Sequence, residues 1–420
     1  MLAHHVPRIA MPACARSHTL ATRPMKRFVL LALLLAGCSR PEPEERYGFV
    51  ALLGRDTISV ERVTRQGNKV TSDEVDRFPV VRQRHTEIAL DDSGRIERLV
   101  MDIRTPSDSE KLRERHIVAD VAKDTVQLTK RDGRSSTTWK YATNGGVPTA
   151  HVDQMYSLYE LRFQEARRRA AAQHRAAGDT VMQRQFYIDR EFDRFPMNHG
   201  VVKLIDANKA EISHDWLAGT GEATFDSSGH MLAYSGARTT YLVEARRVAD
   251  VPDIQTLATQ FAAAEAKSGP RSLSVRDTVR ASIGAANFTV DYGRPLARGR
   301  TLVGGIIPYD IVWRTGANAA TQFTTSAPIT LAGLQLPAGG YTLWTVPRAT
   351  GVELIVNKQT GQWGTSYDRS RDLGRAPMTS ETLTTPVEQF TIAIAGNDAK
   401  SGALTMAWGP FRWTAPIVVR

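Results

Sequence analysis

From Tyr47 onward the chain is written with a period of two. YGFVALL (47–53), DTISVERV (56–63) and VVRQRHTEIAL (80–90) alternate apolar and polar residues. That spacing sends successive side chains to opposite faces of a pleated strand. Turn signals separate the runs: Arg65-Gln66-Gly67-Asn68, Asp91-Asp92-Ser93-Gly94 and Arg131-Asp132-Gly133. Their glycines and Asx side chains suit hairpins. The pattern predicts a mainly β fold of antiparallel sheets. TEIALDDSGRIERLVMDI (86–103) and GEATFDSSGHMLAYSGA (221–237) echo each other as strand, Asp-x-Ser-Gly turn and returning strand. A duplication and an independent arrival at the same turn both account for the echo, and no solenoid period is visible.

Two helices are expected among these strands. One, near 152–177, places Met155, Leu158, Tyr159 and Phe163 at helical spacing and runs into Arg167-Arg168-Arg169, read as a solvated face. Gly178 is its expected stop. The other, near 252–267, carries Ile254, Leu257 and Phe261 on one stripe, with Pro252 in its first turn. Ser268-Gly269-Pro270 then marks a domain boundary. Residues 47–268 therefore read as a β-rich antiparallel-sheet region with two helices. A curved sheet of this kind could hold an apolar ligand, which makes a lipid carrier one expectation, by analogy of fold alone.

Residues 271–420 read as an antiparallel β-sandwich. Leu404, Met406 and Trp408 alternate, as do Phe390, Ile392 and Ile394, and Phe411, Trp413, Ile417 and Val419. A Pro-Ala-Gly-Gly turn leads into a strand with Trp344 on one face and Tyr341 and Leu343 on the other. The densest block of signals runs from Asp291 to Trp363. It contains Gly293-Arg294-Pro295, Val303-Gly304-Gly305, Pro308-Tyr309 and Val312 to Asn318, then Leu336-Pro337-Ala338-Gly339, Tyr341, Asn357-Lys358 and Gln362-Trp363-Gly364. On these pieces the region resembles the bacterial domain-of-unknown-function family 2911 (DUF2911). The resemblance implies a fold but no activity. Where that family often has Asn-Glu-Ala, this chain has Asn318-Ala319-Ala320, so any chemistry needing that acid is missing.

The amino terminus reads as an export signal. Met25-Lys26-Arg27 is basic, Phe28 to Leu35 is apolar, and Leu35-Ala36-Gly37-Cys38 resembles the lipobox of bacterial lipoproteins. Eight apolar residues cannot span a bilayer as a helix, so the segment is cleavable and not a transmembrane anchor. Residues 1–24 fit poorly with a signal and suggest an upstream start. The resemblance implies lipid on Cys38, which would anchor the mature protein to the membrane. Ser39 points to the outer membrane by lipoprotein sorting, and residues 39–46, with Pro41 to Glu45, read as a tether.

Net charge is +10, but Arg8, Arg16, Arg23, Lys26 and Arg27 lie within 1–38, which holds no acid. The remaining +5 is spread along strands, so nucleic acid is not an expected partner. Cys14 and Cys38 are the only cysteines, so the folded part should contain neither a disulfide nor a thiolate metal site.

Candidate chemistry is sparse. Trp313, Arg314, Asn318, Lys358 and Trp363 would suit a sugar or a carboxylate if they lined one cleft. As structural residues they would fill a core and shape turns. His214-Asp215-Trp216, with Glu222, is the best acid/base candidate, although neighbours on a strand point apart. His85, His116, His151, His174, His199 and His230 show no metal-ligand spacing, and no nucleophile elbow or phosphate loop is present. No cofactor or metal is expected. The leading expectation is a non-catalytic envelope lipoprotein binding a glycan, an apolar molecule or a protein partner. A hydrolase or isomerase acting on cell-wall or exported carbohydrate is the alternative, with the lipid carrier third. Nothing in the sequence assigns an oligomeric state.

Overall fold

A computed structural model of the chain describes residues 42–78, 80–108, 113–146, 148–173, 179–188, 197–214, 217–269 and 273–420. Two sheets dominate it, antiparallel as the alternation predicts except for one parallel pair at the edge of the larger sheet. The first arm of the larger sheet is a meander: β1 (Glu45–Leu53), β2 (Asp56–Gln66), β3 (Lys69–Asp76), β4 (Arg82–Leu90), β5 (Ile96–Arg104), β6 (Glu114–Val121), β7 (Thr125–Asp132) and β8 (Ser135–Ala142). After β9 (Pro148–His151) comes helix α1 (Tyr156–Ala172). The second arm returns through β10 (Thr180–Tyr187), β11 (Met197–Leu204), β12 (Lys209–His214), β13 (Leu217–Phe225), β14 (Met231–Ser235) and β15 (Glu244–Val248). The arms join where β15 pairs with β1, with Gly48 opposite Val248, to make one fifteen-stranded sheet. β1 begins at Glu45, so the expected tether ends two residues early: Glu45 and Arg46 already pair with Arg65 and Thr64.

α1 is shorter than expected: it starts after its N-cap Met155 and ends at its C-cap Gln173, while the expected stop, Gly178, lies outside the described residues. Every residue from Tyr156 to Phe163 is buried, so the helix has no solvent face along its first two turns and lies enclosed by sheet. Its N-cap, Met155, supplies no side-chain hydrogen bond. The carboxylate of Glu61 on β2 does that work instead: Oε2 accepts from Ser157 N–H at 3.0 Å, and Oε1 accepts from Ser157 and Ser72 hydroxyls. A carboxylate at a helix N-terminus satisfies orphan donors and opposes the helix dipole. Further along, Glu160 accepts from Tyr47 O–H (2.7 Å, β1), Met231 N–H (2.6 Å, β14) and Arg247 (2.8 Å, β15). One glutamate thereby ties three strands around the helix.

The arginine run is not a plain solvated face. Arg168 donates to the Gly94 carbonyl at 2.8 Å, Arg169 donates to the Met182 carbonyl at 3.1 Å, and Arg167 borders Gly229 and lies over the Phe225 ring. Gly94 and Gly229 close the two echoed turns, and both have positive φ (76° and 87°). In each turn the aspartate Oδ1 accepts an N–H four residues on, Arg95 to Asp91 and His230 to Asp226, both at 2.9 Å. The sequence echo is thus a shared turn geometry, gripped on both sides by α1. Helix α1 thus fills space inside this sheet that a lipid cargo would need.

Helix α2 (Ile254–Ser268) packs Ile254, Ala258 and Phe261 on Val50, Val60 and Val75, on the face of the sheet opposite α1. Asp253 is its N-cap and accepts from Thr256 N–H at 2.7 Å, so Pro252 precedes the helix and is not in its first turn. The smaller sheet contains β16 (Ser274–Ile283), β17 (Ala286–Pro295), β18 (Thr321–Thr325), β19 (Ile329–Leu331), β20 (Leu334–Leu336), β21 (Gly339–Arg348), β22 (Gly351–Asn357), β23 (Asp372–Gly396) and β24 (Ser401–Val419). It is nine-stranded, and its layers are continuous. β23 breaks register between Thr382 and Val387 and again before Thr391, and so bends from one layer into the other. Phe288, Tyr292, Phe323, Leu343, Phe390 and Trp413 fill the core between them. Tyr341 and Leu343 face this core, while Trp344 packs with Ile355 on the other face, as the alternation predicts.

The two sheets meet at Arg298. Its Nε lies 3.0 Å from Oδ2 of Asp56, the first residue of β2, and its carbonyl accepts from Arg55 N–H at 3.1 Å. Gly54 (φ 61°) lies so close to Arg298 that a Cβ there would collide with it.

Candidate functional site

Register brings together what sequence order scatters. Across β2 to β7, on the α2 face of the sheet, Arg62 pairs with Asp73, Asp73 with His85, His85 with Asp102, Asp102 with His116, and His116 with Arg131. This is one straight row perpendicular to the strands, spanning about 24 Å at the usual interstrand spacing. Within it His85 Nδ1 lies 2.7 Å from Asp73 Oδ1, and His116 Nδ1 lies 2.8 Å from Asp102 Oδ1. The two His–Asp pairs repeat every second strand, a translation of about 10 Å.

The row is the floor of a groove of about 710 Å³. Gln83, Arg104 and Glu114 form a parallel row beside it, and the first turn of α2, with Asp253 and Gln255, makes a wall. Gln83 and Gln255 hydrogen-bond at 3.2 Å, joining floor to wall. On the opposite face of the same strands, Arg84 holds Glu74 (2.5 Å) and Asp76 (2.9 Å), and Arg82 holds Asp76 (2.7 Å), all buried. Burial pushes the Glu74 carboxyl well above the usual carboxylate range despite Arg84. The floor is therefore backed by a hydrogen-bonded ionic layer. The groove pairs themselves are about half exposed, and exposed cross-strand pairs contribute only about 0.2–1 kcal/mol each. Stability alone is a weak reason for so regular a ladder.

The residues expected to line a cleft in the C-terminal region divide between two faces. Trp313 points into the core, stacked on Trp408 at 5.7 Å and edge-on to Phe390. Arg314, its neighbour on an extended segment, takes the other face. There its stem lies against Gly364, next to the Asn318 carbonyl, which accepts from Gly364 N–H at 3.0 Å. Trp363 is 56% exposed and bridges Ala319. Lys358 is exposed just past β22. A single five-residue cleft does not form, because Trp313 is on the wrong side of the chain.

Asp215, Trp216 and Cys38 lie outside the described residues, as does the side chain of His214. Glu222 sits in a surface ion network, 2.9 Å from Lys209 and 3.8 Å from Arg238. Among the described residues no group of three or more His, Cys, Asp or Glu is placed to hold a metal, and no helix is long and apolar enough to cross a membrane. His85 and His116 were visible in the sequence, but only as isolated residues. The signal that would have joined them is hairpin register, counted strand by strand from turn to turn.

Residues 274–417 match the family described as protein of unknown function (DUF2911), the family that the Asp291–Trp363 block resembles. No curated protein matches the chain. Among solved structures, a DUF1089 family protein from Pseudomonas aeruginosa is similar at 12% identity and a TM-score of 0.32, over 48% of this chain and 94% of that one. A β-barrel-like protein of domain of unknown function DUF1849 from Brucella abortus is similar at 12% identity and a TM-score of 0.33, over 51% and 99%.

Proposed function

We propose that the mature chain is a lipid-anchored binding protein of the bacterial cell envelope, held through Cys38 at the outer membrane, and that it binds its ligand without transforming it. The ligand assigned to the groove is a glycan strand lying across β2 to β7. The carrying observation is the repeat: two equivalent His–Asp pairs two strands apart. A catalytic centre needs one unique constellation, whereas equivalent stations at a fixed step suit a polymer with a fixed step. About 10 Å is close to the length of a disaccharide unit. Sugar hydroxyls donate and accept at once, which fits a floor where acceptors (Asp73, Asp102) alternate with imidazoles and end in guanidinium donors (Arg62, Arg131). The lipobox supports the location, since it would set the groove beside envelope polysaccharide.

Titration calorimetry with soluble envelope glycan fragments tests this. Affinity should rise from disaccharide to tetrasaccharide and then level off. An unchanged affinity with length, or no heat with any envelope glycan from the folded protein, overturns the reading. Mass spectrometry of the processed chain tests the anchor separately, and an unmodified Cys38 thiol would remove it.

A further inference from the structure

We propose a second binding site, for a carboxylate, at Arg314 in the C-terminal sheet, independent of the groove. The other partly buried arginines of this sheet have partners: Arg294 holds Asp277 at 2.9 Å, Arg375 holds Asp372 at 2.9 Å, and Arg300 donates to the carbonyls of Leu296 and Ala297. Arg314 differs. Its Nε is buried without a hydrogen bond, and burial lowers its guanidinium with no acidic group among the described residues to offset it. A desolvated cation without a counter-charge is costly and calls for an explanation.

The surrounding chain is built to hold it there. Gly364 leaves room for the stem, because a Cβ would run into Arg314 Cδ and the Asn318 carbonyl. The segment after Arg314 is strained: Thr315 has φ 52° and Asn318 has φ 63°. A β-branched residue at positive φ is an outlier that persists only where its surroundings over-determine it. Here they do. Thr315, fully buried, donates to Thr345 Oγ1 at 3.2 Å, its carbonyl accepts from Thr321 at 2.6 Å, and Trp313 and Thr345 exchange backbone bonds at 2.8 and 3.0 Å. Strain kept by such a frame is typical of a ligand site. The planar fork can hold a carboxylate or a phosphate through two parallel hydrogen bonds, but one guanidinium balances one negative charge, which favours a carboxylate monoanion over a phosphate dianion.

The test follows the Arg314 side-chain Nε–H resonance by NMR while acetate, glucuronate or inorganic phosphate is added. Acetate and glucuronate should shift it saturably, with phosphate weaker than both. Arg314→Gln should weaken glucuronate binding at least tenfold by calorimetry, Arg314→Lys should fall between, and Gly364→Ala should weaken it through the displaced stem. The proposal fails if phosphate binds more tightly than either carboxylate, if no carboxylate moves the resonance, or if Arg314→Gln binds glucuronate like the parent. Should Arg314→Gln not fold, Arg314→Lys decides, since parent-like affinity in that variant also overturns it.

Discussion

The Nδ1 of His85 rests 2.7 Å from Oδ1 of Asp73, on the adjacent strand and directly opposite it in register. The carboxylate orients the ring on the groove floor. With the same arrangement repeated at His116, the His85→Ala/His116→Ala double variant should bind a tetrasaccharide at least tenfold more weakly than the parent. Its unfolding free energy should drop by no more than about 2 kcal/mol, because the pairs are exposed. Calorimetry and urea denaturation on the same preparation check both halves.

Phe163 is fully buried in α1, edge-on to Phe225 at 5.1 Å. Because sheet surrounds the helix, no neighbour can collapse freely into the space a truncation leaves. Phe163→Ala should therefore cost about 3–5 kcal/mol, read from the denaturation midpoint at unchanged slope.

Burial raises the Glu61 carboxyl, against the lowering effect of its Ser157 and Ser72 hydrogen bonds. The native state then holds this proton more tightly than the unfolded chain does. Its contribution to stability is fullest below the unfolded value, about 4.3, and declines as pH rises toward the native value. Glu61→Gln lacks that decline. Between pH 4 and pH 7 the stability difference between the two proteins should therefore move in the variant's favour. Denaturation at the two pH values measures it, and movement in the parent's favour would contradict the assignment.

Arg298 joins the sheets through Asp56, and its side chain is nearly inaccessible, at 5% exposure. Arg298→Ala should remove roughly 2–4 kcal/mol, at the lower side of a fully buried pair because Asp56 is partly solvated. It should also split a single calorimetric unfolding transition into two, one per sheet.

Much of the fold was legible because alternation and turn chemistry are local. The hairpins around Gly67, Gly94 and Gly133, the stripe on α2 and the opposite faces of Trp344 and Leu343 all follow from a period of two or 3.6. The enclosure of α1 was not legible, since Glu61 caps a helix almost a hundred residues later in the chain, and no local pattern encodes that meeting. The Arg62–Arg131 row was hidden for a related reason: a row exists only once five registers are set. The separation of Trp313 from Arg314 was legible in principle, because adjacent residues of an extended segment point apart.

The pairing of β1 with β15 brings Gly48 opposite Val248, so the seam that completes the larger sheet forms between segments made at opposite ends of that region. Such long-range closure is slow, and it cannot begin until the chain has been made as far as Val248. Until then β1 presents a bare hydrogen-bonding rim, the kind of template on which chains aggregate. Folding of this chain therefore leaves a strand edge open for longer than a sheet of the same size built only from neighbouring hairpins would.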